Sequence, residues 1–135
     1  MYAVDAGHGQ LLGSLRQDSR VVNLEGTNLA RLGESSIPDA IQIVSVDVSY
    51  LSLALAVPQL ERVRIASDAE LLALVKPQFE LGLARPPATE EILDEALRRA
   101  RTAIDSGPWN VVGSIRSPVP GRKGAIEFLL HARRR

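Results

Sequence analysis

The feature that most constrains the fold is a long amphipathic helix placed between strand-like segments. Apolar residues recur at helical spacing from Ile92 to Ile104. Thr89 occupies the N-cap position, and Gly107 followed by Pro108 ends the helix. Short apolar runs lie on both sides of this helix, and strands that alternate with helices are typical of a mostly parallel sheet covered on both faces. The sequence therefore predicts an α/β fold.

Six segments have the composition of strands, and the run at residues 41–48 is the richest in β-branched side chains. Only a short loop separates the last two segments, so we expect these two strands to pair antiparallel. Shorter helices are predicted at residues 10–17 and 53–63, the second with a kink or late start at Pro58. The predicted strands are residues 2–5, 20–25, 41–48, 70–76, 109–115 and 125–131.

Composition narrows the functional classes. A length of 135 residues suits one domain, residues 1–135. The absence of cysteine excludes disulfides and thiolate ligands, and two histidines far apart argue against a histidine-rich metal site, so no metal is predicted. No apolar run is long enough to span a membrane, and the amino terminus lacks the pattern of a signal peptide. We therefore expect a cytoplasmic protein.

Charge is balanced overall but unevenly distributed. Sixteen basic residues offset sixteen acidic ones, so the net charge gives no support to nucleic-acid binding. Residues 131–135 are basic, however, and Arg116, Arg122 and Lys123 lie just upstream. These residues could form a local basic patch, but a solvated, frayed terminus is the preferred interpretation of the tail.

Polar side chains stand where the predicted strands end. In an open parallel sheet, ligands bind outside the carboxyl ends of the strands, so these side chains are the candidates for a site. Glu127 stands early in the last strand, whose start faces the same edge if that strand is antiparallel. The residues at the other strand ends are Asp5, Glu25, Asn28, Asp47 and Lys76.

The first candidate motif is DAGHG at residues 5–9, which resembles the glycine loop of many S-adenosylmethionine sites. Glu25 lies 20 residues beyond Asp5, close to the spacing of a ribose-binding acid. A tight strand-to-helix turn without a ligand would have the same sequence, and both interpretations stay open. His8 is expected to be an exposed turn residue.

The second and third candidates are Asp47 and Lys76. An acid that ends an apolar strand is either a partnered buried carboxylate or a cap for the following helix. A lysine that ends a buried strand is unusual, because lysines prefer solvent. A structural ion pair with Asp47 and Glu127 and a functional lysine are both compatible with this pattern, with a slight preference for function.

Several longer segments resemble one family. The segments YAVDAGHGQL, DVSYLSL, LVKPQFELG, SPVPG and AIEFLL are similar to those of haemolysin-like (TlyA-type) rRNA 2′-O-methyltransferases. The resemblance extends over nearly the whole chain, and LVKPQFE is long and specific. It implies a Rossmann-like class I methyltransferase sheet, mostly parallel with an antiparallel last strand.

The resemblance also implies an activity and its residues. FtsJ-like methyltransferases use a Lys-Asp-Lys-Glu tetrad, and Asp47, Lys76 and Glu127 match its last three members. The implied reaction moves a methyl group from S-adenosylmethionine to a ribose 2′-hydroxyl of ribosomal RNA, with Lys76 orienting or deprotonating that hydroxyl. The residues expected near the cofactor are Asp5, Gly7, Glu25 and Asn28.

The chain also departs from the family pattern. The resemblance implies that the amino-terminal S4-like domain, the first strand with the main cofactor loop and the first lysine of the tetrad are missing. Residues 83–88 replace a glycine-rich segment, which implies a shortened or altered substrate loop. An N-terminally truncated sheet would either close up directly or be completed by a partner, most simply a second copy in a homodimer. The alternatives to an active enzyme are therefore a catalytically inactive interaction module and a cofactor-binding protein without transfer activity.

Overall fold

The computed structural model describes residues Met1–Arg135. The chain divides into two compact units. The first contains residues 1–40 and 59–64, and the second contains residues 41–58 and 65–135. None of the helices has both the length and the apolar character needed to cross a membrane.

The first unit contains a two-stranded parallel sheet. Strand β1, Tyr2–Asp5, pairs with β2, Val22–Glu25, so that Asp5 lies opposite Glu25. The helix predicted between them is reduced to the single turn α1, Gly13–Arg16. Its apolar residues Leu12 and Leu15 stay exposed, and a short helix without a packed face is only marginally stable in water.

The second unit is built on a four-stranded sheet in the order β3-β4-β6-β5. Strands β3 and β4 are parallel, and β6 is antiparallel to both β4 and β5. Three strands therefore point one way and only the last is reversed, which agrees with the short loop between the last two. The strands are β3 Ile41–Val46, β4 Ile65–Val75, β5 Trp109–Arg116 and β6 Phe128–Arg134.

The two sheets remain separate, because β1 and β2 form hydrogen-bonded ladders only with each other. The prediction that the strands close up directly into one sheet is therefore wrong.

Helix α4, Glu90–Asp105, covers one face of the larger sheet. It has the predicted N-cap, Thr89, and packs against β4, β5 and β6. Every second residue of β4 from Ala69 to Val75 is buried on this face, as the period of two in a strand requires. Each large side chain buried here contributes about 1.5–3 kcal/mol to folding. The helix residues of this core are Leu93, Ala96, Ala100 and Ile104.

The opposite face of the larger sheet is open, so the prediction of a sheet covered on both faces is wrong for this unit. Its apolar side chains alternate with those of the core, and Ile43 is 70% exposed. Within this unit, helix α4 packs on the other face. We call this surface the open face; its exposed apolar residues are Ile43, Leu72, Ile115 and Leu129.

Prolines explain two differences from the predicted elements. The helix predicted at residues 53–63 becomes α2, Leu53–Ala56, and then a 3-10 helix, Val57–Arg62, which contains Pro58. Pro77 does end β4, but it also occupies the first turn of a short helix that the sequence pattern misses, α3, Pro77–Glu80. Proline suits that position because its missing N–H would have no helical partner there.

The carboxyl terminus is ordered, so the expectation of a frayed basic tail is wrong. Strand β6 continues to Arg134 and lies between β4 and β5, which gives its backbone partners on both sides. The Arg135 side chain donates hydrogen bonds to the carbonyl oxygens of Asp105, at 2.7 Å, and Gly107, at 3.2 Å. The last strand thus begins and ends three residues later than predicted.

Candidate active site

An ion pair lies where the parallel strands β3 and β4 end. Asp47 directly follows β3 and Lys76 directly follows β4, so both reach the same edge of the sheet. The Lys76 Nζ atom is 2.6 Å from Asp47 Oδ1 and 3.3 Å from Ser49 Oγ. Two of the three lysine N–H groups therefore have partners, and the third is available to a ligand.

Burial differs between the two partners. The Lys76 side chain is 16% exposed and the Asp47 side chain is 68% exposed. The capping interpretation of Asp47 is wrong, because the N-cap of α2 is Ser52, and the buried interpretation is wrong as well. Asp47 is an accessible carboxylate that holds a largely buried ammonium group.

Glu127 lies near this pair, immediately before β6 rather than within it. Burial raises the pKa of its carboxyl group above the usual value, Lys76 opposes this effect, and Asp47 adds to it. The Glu127 side chain is therefore within electrostatic reach of both partners. The structure thus brings together the three predicted residues Asp47, Lys76 and Glu127, which we call the reaction cluster.

Gly121 explains how Glu127 fits into this region. The Glu127 carboxylate lies directly over the Cα of Gly121, and a Cβ at position 121 would collide with it. The Ser117 N–H donates to the Glu127 carbonyl oxygen at 2.8 Å, which fixes the backbone of the acid. The loop between β5 and β6 therefore holds one acid of the reaction cluster.

The loop after Asp47 is fixed by α3. The Leu53 N–H donates to Glu80 Oε1 at 2.9 Å, and burial raises the pKa of the Glu80 carboxyl group although this hydrogen bond lowers it. Tyr50 lies between Asp47 and Leu53 in the chain and has a left-handed backbone, φ 64°. Its ring centroid is 5.2 Å from that of Phe79.

The Tyr50 side chain is 88% exposed. Sequence reasoning did not single out Tyr50. The signal that could have revealed it is an aromatic residue three positions after a strand-ending acid. Its exposure and left-handed backbone follow only from the fold.

The predicted cofactor residues lie in the first unit, at the turns after β1 and β2. The Gly26 N–H donates to the Gly7 carbonyl oxygen and the Thr27 N–H to the Asp5 carbonyl oxygen, both at 2.9 Å. Gly26 has φ 67°, and a Cβ there would collide with the ring of His8. The two turns thus form one rim, and His8 is an exposed turn residue, as expected.

Asp5 and Asn28 both stabilise their own turns. Asp5 Oδ1 accepts a hydrogen bond from the Gly7 N–H at 2.7 Å, and Asn28 Oδ1 accepts one from the Ala30 N–H at 2.9 Å. Asp5 Oδ2 and Asn28 Nδ2 keep hydrogen-bonding capacity for a ligand.

The carboxylate oxygens of Glu25 already accept hydrogen bonds from other groups of the protein. One oxygen accepts from the N–H groups of Gln10, at 2.6 Å, and Leu11, at 2.9 Å, and the other accepts from the Arg16 and Asn23 side chains, both at 3.1 Å. The Leu11 and Asn23 hydrogen bonds are the main cause of a pKa of about 2 for this carboxyl group. A ligand at Glu25 would have to displace one of these donors. The hydrogen bonds that Glu25 makes within its own unit are therefore enough to explain an acid at this position, without a ligand.

Comparison with known proteins places this geometry in a family. The model of the FtsJ-like methyltransferase family matches residues 1–134. The 16S/23S rRNA (cytidine-2′-O)-methyltransferase TlyA of Mycobacterium tuberculosis is 42% identical over 138 residues, which cover 97% of this chain and 50% of that protein.

Two solved structures have the same fold. A hemolysin-like protein from Streptococcus thermophilus has a TM-score of 0.88 at 34% identity, covering 98% of this chain and 50% of that one. A second hemolysin-like protein, from Lactococcus lactis, has a TM-score of 0.89 at 30% identity, covering 98% of this chain and 65% of that one. The resemblance found in the sequence is confirmed. The chain spans about half the length of the curated relatives it matches.

Proposed function

The chain belongs to the FtsJ-like methyltransferase family, and from this premise we propose that it carries the reaction cluster of an S-adenosylmethionine-dependent rRNA 2′-O-methyltransferase. The observation that carries the proposal is the Asp47–Lys76 ion pair of 2.6 Å, with Glu127 within electrostatic reach. Asp47, Lys76 and Glu127 are also the residues that match the family tetrad. The relative from Mycobacterium tuberculosis, named for cytidine 2′-O-methylation of 16S and 23S rRNA, supports ribosomal RNA as the substrate.

Lys76 orients the hydroxyl group that reacts. Asp47 and Ser49 hold two of its N–H groups, so the third points to a defined position, where it donates to the ribose 2′-oxygen. Positioning of this kind can account for a large part of a rate enhancement, since it replaces a random encounter with a fixed geometry. The donor role is favoured over deprotonation by Lys76, because an ammonium group paired with a carboxylate has no free lone pair.

Glu127 is the proton acceptor in this proposal. Burial raises the pKa of its carboxyl group, which makes the carboxylate a stronger base than that of an ordinary glutamate. S-adenosylmethionine supplies a methyl group already activated on a sulfonium. Glu127 would accept the hydroxyl proton as the methyl carbon exchanges its bond to sulfur for a bond to the ribose oxygen, with S-adenosylhomocysteine as the leaving group.

The cofactor residues fit S-adenosylmethionine in part. Asp5 Oδ2 can accept from a ribose hydroxyl, Asn28 Nδ2 can donate to a ring nitrogen, and Gly7 has no side chain to obstruct the rim. Glu25 fits poorly, because four donors already occupy its oxygens. We therefore assign the ribose contact to Asp5 and a supporting role to Glu25.

Calorimetric titration with S-adenosylmethionine tests this assignment. We expect binding with a micromolar Kd, roughly −8 kcal/mol. Asp5→Asn keeps the oxygen that accepts from Gly7 but loses the charge, so it should weaken binding by about 1.5–3 kcal/mol. Lack of binding by a folded wild-type chain would remove the enzyme proposal.

The open face favours a second candidate function, a non-catalytic interaction module that pairs with a second copy of the chain. Exposed apolar surface of this kind marks interfaces, and sheets of this class are normally covered on both faces. We expect light scattering to give twice the chain mass of 14.6 kDa for the wild type and the mass of one chain for Leu72→Glu. A wild type that stays monomeric at high concentration excludes this candidate.

A further inference from the structure

The loop between β5 and β6 carries a turn with two unpaired cations. The 3-10 turn Arg122–Gly124 places Arg122 and Lys123 in solvent, and neither side chain forms an ion pair or hydrogen bond. By contrast, Arg116 of the same unit pairs with Glu90 at 2.7 Å, and Arg99 pairs with Glu95 at 2.8 Å. We call Arg122 and Lys123 the basic turn.

The basic turn is held in one conformation. The Gly121 N–H donates to the Ala125 carbonyl oxygen at 2.8 Å, and the Gly124 N–H donates to the Gly121 carbonyl oxygen at 3.1 Å. Lys123 has φ 58°, a left-handed conformation that a lysine adopts only where the surrounding structure imposes it. A preformed turn loses little conformational freedom when it binds a ligand.

The basic turn also adjoins the reaction cluster. Arg122 directly follows Gly121, the residue over which the Glu127 carboxylate lies. Glu127 in turn is within electrostatic reach of Lys76 and Asp47. The backbone of the basic turn therefore lies beside one acid of the reaction cluster, so a ligand that reaches Lys76 could extend past Glu127 to the turn.

The chemistry of RNA indicates that the ligand group at the basic turn is a phosphate. The 2′-hydroxyl is attached to the carbon next to the one that carries the 3′-phosphodiester, so a phosphate accompanies any 2′-hydroxyl that reaches Lys76. Asp47 and Glu127 repel this phosphate, and nearby cations would offset the repulsion. We propose that Arg122 and Lys123 bind the phosphodiester on the 3′ side of the target nucleotide. This inference rests on the proposed function and adds the residues that recognise the RNA backbone there.

The salt dependence of RNA binding tests the inference. The probe is a fluorescein-labelled single-stranded oligocytidylate, and its Kd is measured by anisotropy over a range of KCl concentrations. For single strands, each lost phosphate contact should reduce the slope of log Kd against log salt by about 0.7. We expect this reduction for Arg122→Gln and for Lys123→Gln, and about twice the reduction for the double variant. Arg99→Gln removes the same charge from helix α4 and should leave the slope unchanged.

Three results would overturn the inference: an unchanged slope in the double variant, an equal change in Arg99→Gln, or no binding of the oligonucleotide by the wild type. Methylation of rRNA is assayed separately on the same proteins. If the wild type fails to methylate but the slope falls in the two variants, the proposed function fails while phosphate binding by the basic turn stands. If methylation proceeds with an unchanged slope, only the inference fails.

Discussion

Lys76→Ala should lower the rate of methyl transfer to rRNA by about 10²–10⁴-fold, the range expected when a positioned catalytic group is removed. The substitution removes the N–H donor to the 2′-oxygen and leaves Asp47 and Glu127 as two acids without the cation near them. Because the interaction with the hydroxyl matters most in the transition state, kcat should fall while KM changes little. Initial rates with radiolabelled S-adenosylmethionine at several RNA concentrations give both constants.

Ser49→Ala is the matched control for Lys76→Ala. It removes the longer of the two Lys76 contacts, 3.3 Å, and keeps the ion pair with Asp47. We expect a loss of less than about tenfold, because the 3.3 Å contact is long for a hydrogen bond and the ion pair with Asp47 still holds the ammonium group. If Lys76→Ala kept the wild-type kcat, Lys76 would be only a structural ion-pair partner.

Tyr50→Ala should weaken RNA binding by about 1–3 kcal/mol, the effect of removing one base-stacking aromatic side chain. The Tyr50 ring is 88% exposed and supported on one side by Phe79, so its free face is available to an unstacked base. Stacking of splayed bases on aromatic side chains is a common mode of single-stranded RNA recognition. The Kd for labelled single-stranded RNA measures the loss.

Two further variants separate stacking from backbone strain. Tyr50→Phe keeps the ring and should bind RNA like the wild type. Tyr50→Gly removes the ring but relieves the left-handed backbone at φ 64°, so it should bind as weakly as Tyr50→Ala while unfolding at higher denaturant than that variant. Wild-type affinity in both Tyr50→Ala and Tyr50→Gly would mean that Tyr50 does not contact RNA.

The meeting of Asp47 and Lys76 was predictable from sequence, because each ends a strand and the ends of parallel strands share an edge. The extent of β6 was not predictable. Its basic residues pair with β4 and β5 across long sequence separations, and local composition carries no signal for such pairing. The long amphipathic helix α4 was predicted within one residue at each end, since its periodicity and caps are local features.

The surroundings of Glu25 and Tyr50 could not be predicted from the sequence. The spacing of Glu25 from Asp5 fits a ribose-binding acid, but the backbone N–H groups of Gln10 and Leu11 reach its carboxylate first. Every residue except proline has a backbone N–H, so a sequence motif does not indicate which of these groups will reach the carboxylate. The left-handed backbone of Tyr50 is likewise seen only in the folded loop, where the Leu53 N–H donates to Glu80 Oε1.

The measurement that most directly tests the central claim is the position of the transferred methyl group. The wild-type chain is incubated with rRNA and radiolabelled S-adenosylmethionine, and the RNA is then hydrolysed in alkali. A 2′-O-methyl group blocks attack of the hydroxyl on the adjacent phosphate, so the label should remain in alkali-stable dinucleotides and should be absent with Lys76→Ala. Label in mononucleotides, or no transfer by a folded chain that binds S-adenosylmethionine, would contradict the assignment of Asp47, Lys76 and Glu127 as a 2′-O-methyltransferase centre.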